Sequence, residues 1–133
     1  MTDSARARST PPPRWALAPG SRVWSGGRHE AAKRRLLALL SGVTRPRLGP
    51  IDLGFLAPAS VDEAVYFVRK ILPRLTPPAR VWVVYATGDA PDSGAGVTRD
   101  RLAAAMIQLA LCEGDTVPIG EEYMSSLFQA AGE

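Results

Sequence analysis

The chain has 133 residues, a formal charge of +3 and one cysteine. That length supports one packed domain without disulfides or metals. No apolar run reaches the roughly 18 residues of a membrane span, and the N-terminus lacks the apolar stretch of a signal peptide. A cytoplasmic protein that does not enter a membrane is therefore expected. The charge is uneven: positions 1–50 carry ten Lys/Arg against two acids, and positions 51–133 carry six against eleven. Such polarity can steer a polyanion or align two copies, or the halves can simply offset each other. Fourteen of the sixteen basic residues are Arg, beside abundant Ala, Gly and Pro, so GC-rich codon usage also accounts for much of the basicity.

Residues 1–20 hold three consecutive prolines with little to bury and read as an extended or disordered arm, with Trp15 and Leu17 able to pin its end. Residues 21–133 form the expected single α/β domain. Arg22 to Trp24 is a short strand candidate. Ser25-Gly26-Gly27-Arg28 then reads as a turn into a helix from Glu30 to Ser41, whose apolar residues Ala32, Leu36, Leu39, Leu40 and Val43 recur at helical spacing. Gly42 is placed to end it. Thr44 to Pro50 reads as an edge strand or a connector.

Ile51 to Ala57 is nearly continuously apolar, as in a strand covered on both faces. Ser60 and Glu63 have the S-x-x-E spacing of a capping box, in which each side chain satisfies a backbone N–H at a helix start. Val61, Ala64, Val65, Val68, Ile71, Leu72 and Leu75 follow on one face, and the prolines from Pro73 to Pro78 close the helix. Arg80 to Ala86, rich in branched and aromatic residues, is a second buried strand. Strand, helix and strand in this order imply a right-handed parallel crossover. Thr87 to Val97 is a glycine-rich loop leaving the sheet. Thr98 caps a helix running through Leu102, Ala105, Met106, Leu109 and Ala110 to Gly114, and Cys112 is expected buried in it. Thr116 to Ile119 and Tyr123 to Phe128 pair as a closing hairpin through Gly120-Glu121. The fold class expected is α/β: a single-layer, mostly parallel sheet flanked by helices, with a C-terminal antiparallel hairpin.

That order resembles a shortened Rossmann-like methyltransferase, with Ile71 to Tyr85 looking like that fold's helix, proline turn and following strand. The chain is also similar to a bacterial group known as domain-of-unknown-function family 3052. The match rests on Pro19-Gly20-Ser21-Arg22-Val23, the Asp-led strand Asp52 to Ala57, and Trp82-Val83. Where that family has Thr-Trp-Ser in its closing strand, this chain has Tyr123-Met124-Ser125, and the family's Lys after the Trp-Val strand is absent from Thr87-Gly88. The resemblance implies a truncated Rossmann/methyltransferase-like fold more than an activity.

The cofactor loop of such folds needs a G-x-G-x-x-G-like turn and an acid ending the next strand. Ser25-Gly26-Gly27 supplies a fragment of the first, and no acid lies between Glu30 and Asp52. No cofactor is therefore expected, S-adenosylmethionine being the one the resemblance admits. Gly26, Gly27 and Arg28 precede a helix N-terminus, where an anion can bind, but an ordinary turn with a solvated arginine accounts for so short a motif more simply. Asp89 and Asp92, after Thr87, leave the carboxyl edge where ligands of open sheets bind, yet also suit a soluble turn. His29 beside Glu30 is either an acid–base group or a solvated helix-start histidine.

One histidine and one cysteine cannot form the usual zinc sets. The serines lack a G-x-S-x-G elbow. Lys33-Arg34-Arg35 with Arg45 and Arg47 forms a solvated face or a nonspecific phosphate contact. The site expected is noncatalytic and composed of Gly26, Gly27, Arg28, Ser60, Thr87 and Asp89, taking a protein partner or a small anionic ligand. The alternatives are a degenerate methyltransferase and a nucleic-acid accessory protein. Homodimerisation through the terminal hairpin is expected from its edge strand.

Overall fold

A computed structural model of the chain describes residues 15, 17–18, 20–40, 43–87 and 97–130. Asp89, Asp92 and the arm before Trp15 lie outside the described residues. The elements are β1 (Val23–Gly26), α1 (Glu30–Ala38), β2 (Leu53–Leu56), α2 (Val61–Ile71) continuing into a single 3₁₀ turn (Leu72–Arg74), β3 (Arg80–Ala86), α3 (Arg99–Ile107), β4 (Leu111–Ile119) and β5 (Tyr123–Ala130). The five strands make one mixed sheet in the order β1-β2-β3-β5-β4. β1, β2 and β3 are mutually parallel, β5 is antiparallel to β3, and β4 is antiparallel to β5. This is the α/β sheet with a closing hairpin expected from the sequence.

Alternation along the strands divides the core in two. Leu53, Phe55, Trp82 and Val84 face α1 residues Ala32 and Leu36. Leu56, Val81, Val83 and Tyr85 face Ala64, Val68 and Ile71 of α2 and Leu102 and Met106 of α3. All four residues of β2 are buried, which is why its sequence reads as an unbroken apolar run. Trp15 is fully buried on the α1 side, its ring 4.7 Å from Phe55 and 6.3 Å from Trp82. Its indole N–H donates to Ser125 Oγ at 3.2 Å, and Ser125 in turn donates to the Val117 carbonyl at 2.8 Å. The other buried serine, Ser126, shares a 2.9 Å hydrogen bond with Tyr85 Oη. Burial raises the Tyr85 phenol above its ordinary value.

The connection from β1 to β2 is unusual. Both β1→β2 and β2→β3 step in one direction across the sheet, yet α1 and α2 lie on opposite faces. A shared hand would put both helices on one face. Thr44 resolves the conflict: it forms a parallel bridge to Arg22, with Val23 N–H donating to Thr44 O (2.7 Å) and Thr44 N–H to Ser21 O (2.9 Å). The chain thus leaves β1 through α1 toward the outer side of β1, touches the sheet at one residue, and then passes back to β2. The Thr44 to Pro50 segment is therefore a connector with a single bridge.

Three local expectations change. Ser25 and Gly26 belong to β1, because β2 supplies ladder partners at Phe55 and Leu56. α1 stops at Ala38, earlier than Ser41. The expected helix to Gly114 ends at Ile107, and β4 begins at Leu111, since Leu111, Cys112 and Glu113 pair with Ala130, Gln129 and Phe128 of β5. A run such as Leu109-Ala110-Leu111 suits either period, and the waiting strand decides it. Cys112 is consequently exposed on β4, not buried in a helix.

Candidate ligand site at the carboxyl ends of the parallel strands

Ligands of open α/β sheets bind beyond the carboxyl ends of the parallel strands. Here that region holds the β1–α1 turn, Gly26 to His29, and the β2–α2 turn, Ala57 to Ser60. The two turns are joined directly. Ala57 N–H donates to Gly26 O (2.9 Å) and His29 N–H to Ala57 O (3.1 Å). Gly27 lies between these bonds with φ +114°, and a Cβ added there would collide with the Ala57 carbonyl. A glycine is required, but for contact between two turns and not for approach to a ligand. At Gly26 an added Cβ would lie 2.7 Å from the Trp24 indole, whose ring also packs 5.7 Å from Phe67 of α2.

Glu63 links the two turns. Ser60 is the N-cap of α2 and its Oγ accepts from Glu63 N–H at 3.0 Å, as expected of the capping box. The carboxylate departs from that motif. Glu63 Oε1 accepts from Ala59 N–H (2.8 Å) and from Arg28 N–H (2.9 Å), and Oε2 lies 3.5 Å from Arg28 Nε. The Glu63 side chain is 11% exposed, whereas the Arg28 side chain is 81% exposed. An internal carboxylate therefore holds the backbone donors that an anionic ligand would need. The S-x-x-E spacing singles out Glu63 as a cap, but no local signal reveals its reach across 35 residues to Arg28.

Thr87 does not join this cluster. It follows β3 and is tied to the hairpin turn, its N–H donating to Glu122 O at 2.8 Å and its hydroxyl to Glu121 O at 3.4 Å. His29 is the N-cap of α1: its Nδ1 accepts from Ala32 N–H at 3.1 Å, and its ring stands edge-on to Tyr123 at 5.8 Å. It is a partly buried structural group, not a solvated one. Asp52, the first acid after Glu30, lies at the amino ends of the strands, away from the candidate ribose position. Its carboxylate accepts from Arg22 N–H (2.9 Å), Nε (3.2 Å) and Nη2 (2.8 Å) and from Thr76 Oγ1 (3.4 Å). The Arg22 hydrogen bonds, led by those of the side chain, hold its pKa down to about 2.

The described residues of the two turns do not fit a dinucleotide-like or S-adenosylmethionine cofactor bound in the usual manner. The turn glycine is packed on protein, the N–H donors of Arg28 and Ala59 are bonded to Glu63, and no acid lies between Glu30 and Asp52 in the sequence. Among the described residues, no three side chains converge to hold a metal ion. No helix among them is long and apolar enough to cross a membrane.

The fold nevertheless has clear relatives among solved structures. A SAM dependent methyltransferase from Aquifex aeolicus superposes with a TM-score of 0.55 at 11% identity, covering 84% of this chain and 70% of that one. The pyocyanin biosynthetic protein PhzM gives 0.59 at 10% identity, over 90% of this chain and 53% of that one. A putative type 11 methyltransferase from Sulfolobus solfataricus gives 0.56 at 11% identity, over 92% and 95%. Two other neighbours are covered to only 38% of their length. At these identities the likeness establishes a methyltransferase-like fold and nothing finer. No protein-family model matches the chain, and no curated protein matches it.

Proposed function

We propose that this chain is a noncatalytic, methyltransferase-like domain that works by binding another polypeptide. The observation that carries the reading is the Glu63 carboxylate bonded to the N–H groups of both Arg28 and Ala59, where a cofactor or small anion would otherwise be held. Gly27 packs on Ala57 and Trp24 covers Gly26, so the same turn carries two further signs of a structural role. A small anion as the ligand of Gly26 to Arg28 is disfavoured by the same bonds.

The competing reading is a degenerate methyltransferase, and it draws on the likeness in fold to a SAM dependent methyltransferase. Fold does not entail chemistry, so the site decides between them. Titration calorimetry with S-adenosylmethionine separates the two. We expect no binding at concentrations up to about 1 mM, which is weaker than roughly −4 kcal/mol. Micromolar binding would overturn the proposal.

A further inference from the structure

Resting on the reading that this domain binds a polypeptide, we propose that the outer edge of β1 accepts an extended, acidic segment of a partner protein as an added strand. The sheet has two ends, β1 and β4, and they differ in their defences. β4 carries Glu113 and Asp115, a register shift between Glu113 and Thr116, and Pro118, which has no N–H to offer. Charges, bulges and proline are the devices that keep a second strand from an edge. β1, with the sequence Val-Trp-Ser-Gly, has none of them. This places the undefended edge opposite the hairpin, where the sequence alone favoured association.

The backbone of β1 shows what the edge offers. Arg22 N–H donates to Asp52 Oδ2 and Arg22 O accepts from Asp52 N–H, so residue 22 faces β2. Val23 and Ser25, one and three residues on, face outward. Thr44 takes the Val23 N–H, and no described strand lies beyond it to take the N–H and C=O of Ser25. In the common doubly wound order, two further strands occupy the space outside the first. Among the described residues a single one, Thr44, stands there. The gap has the position and hydrogen-bonding direction of a missing strand.

Charge selects the occupant. Arg28 follows β1 directly, and Arg45 and Arg47 follow Thr44, all exposed. Asp52 is engaged by Arg22, and Glu63 by the turn N–H groups and by Arg28 Nε at 3.5 Å, while Glu30 is exposed beside Arg28, so Arg45 and Arg47 carry most of the attraction. A second copy of the chain would bring the same cations to the same edge and be repelled, whereas an acidic strand is attracted. The half-buried Trp24 provides an apolar contact alongside.

The test uses the full chain with a fluorescein-labelled peptide alternating glutamate with valine and threonine, and with its lysine-for-glutamate counterpart. Anisotropy is expected to show at least tenfold tighter binding of the acidic peptide, with at least tenfold slower amide exchange at Ser25 in its presence. Ser25→Pro removes the outward N–H at a position where an edge strand tolerates proline, and should weaken binding at least tenfold without altering the circular dichroism spectrum. A second variant, Arg45→Glu with Arg47→Glu, should abolish or reverse the charge preference while leaving the backbone intact. Absence of binding, equal binding of both peptides, or binding without protection of Ser25 would overturn the proposal. So would a dimer of the chain that Ser25→Pro dissolves, since it would give the edge to a second copy. S-adenosylmethionine binding beside intact peptide binding would instead remove only the noncatalytic reading.

Discussion

Replacing Glu63 with Ala is the sharpest probe of the two joined turns. The substitution removes two hydrogen bonds to an ionised acceptor, at 2.8 and 2.9 Å, from a side chain that is 11% exposed. Hydrogen bonds to charged groups contribute about 1.5–3 kcal/mol each, but water can reach the freed N–H groups, so the lower end applies and the loss should be about 3 kcal/mol. The Arg28 ion pair adds little, because that guanidinium is exposed and screened. For a domain of this size about 3 kcal/mol lowers Tm by roughly 10 °C. Glu63→Gln keeps an acceptor oxygen without the charge and should lose about 1 kcal/mol. Urea and thermal unfolding followed by circular dichroism read both values. A further consequence is specific to the arrangement: Glu63→Ala exposes a pair of N–H groups at a helix start, so added sulfate should shift the Arg28 and Ala59 amide resonances in the variant and not in the parent. The reasoning fails if Glu63→Ala is within about 0.5 kcal/mol of the parent, the range of an unremarkable surface change.

Three other outcomes follow from named contacts. Gly27→Ala combines a left-handed φ with a collision against the Ala57 carbonyl and should destabilise by about 3 kcal/mol or more in the same unfolding assay; a change under about 1 kcal/mol would refute the packing described for that turn. The Asp52 carboxyl is held near 2 when folded against about 3.9 when unfolded, so its contribution is complete above pH 4 and is lost as pH falls toward 2. Asp52→Asn should flatten the stability profile between those limits in urea titrations, and an unchanged slope would count against the Arg22–Asp52 contact. Cys112 should react with a thiol reagent in the native state, because it projects from β4 to solvent; protection until unfolding would restore the helical placement.

Much of the scaffold was legible because its signals are local. Ser60 before Val61, the apolar stripe through Val68 and Ile71, and the branched run Val81 to Val84 each have one structural solution that short-range physics prefers. The segment from Leu109 to Gly114 was not legible in this way. Its apolar residues satisfy a helical and an extended period alike, and only β5, some fifteen residues further on, turns it into a strand. The candidate site was legible by position and illegible in content. Gly27 and Arg28 lie at the strand-to-helix turn that the sequence marks, Gly26 being taken into β1, but what fills that turn is a carboxylate 35 residues away.

By itself, then, the sequence determined most of the alternation of helix and strand, the Leu109 to Gly114 segment excepted, and that a methyltransferase-like order lacks a complete glycine loop, since propensity, capping and periodicity act within a few residues. Only the tertiary structure decided how those pieces are used: that α1 returns past β1 through Thr44, that Trp15 seals the α1 face, and that Glu63 binds the donors of two separate turns. These depend on groups distant in sequence meeting in a packed interior, where a hydrogen bond or a glycine takes its meaning from the partner brought against it.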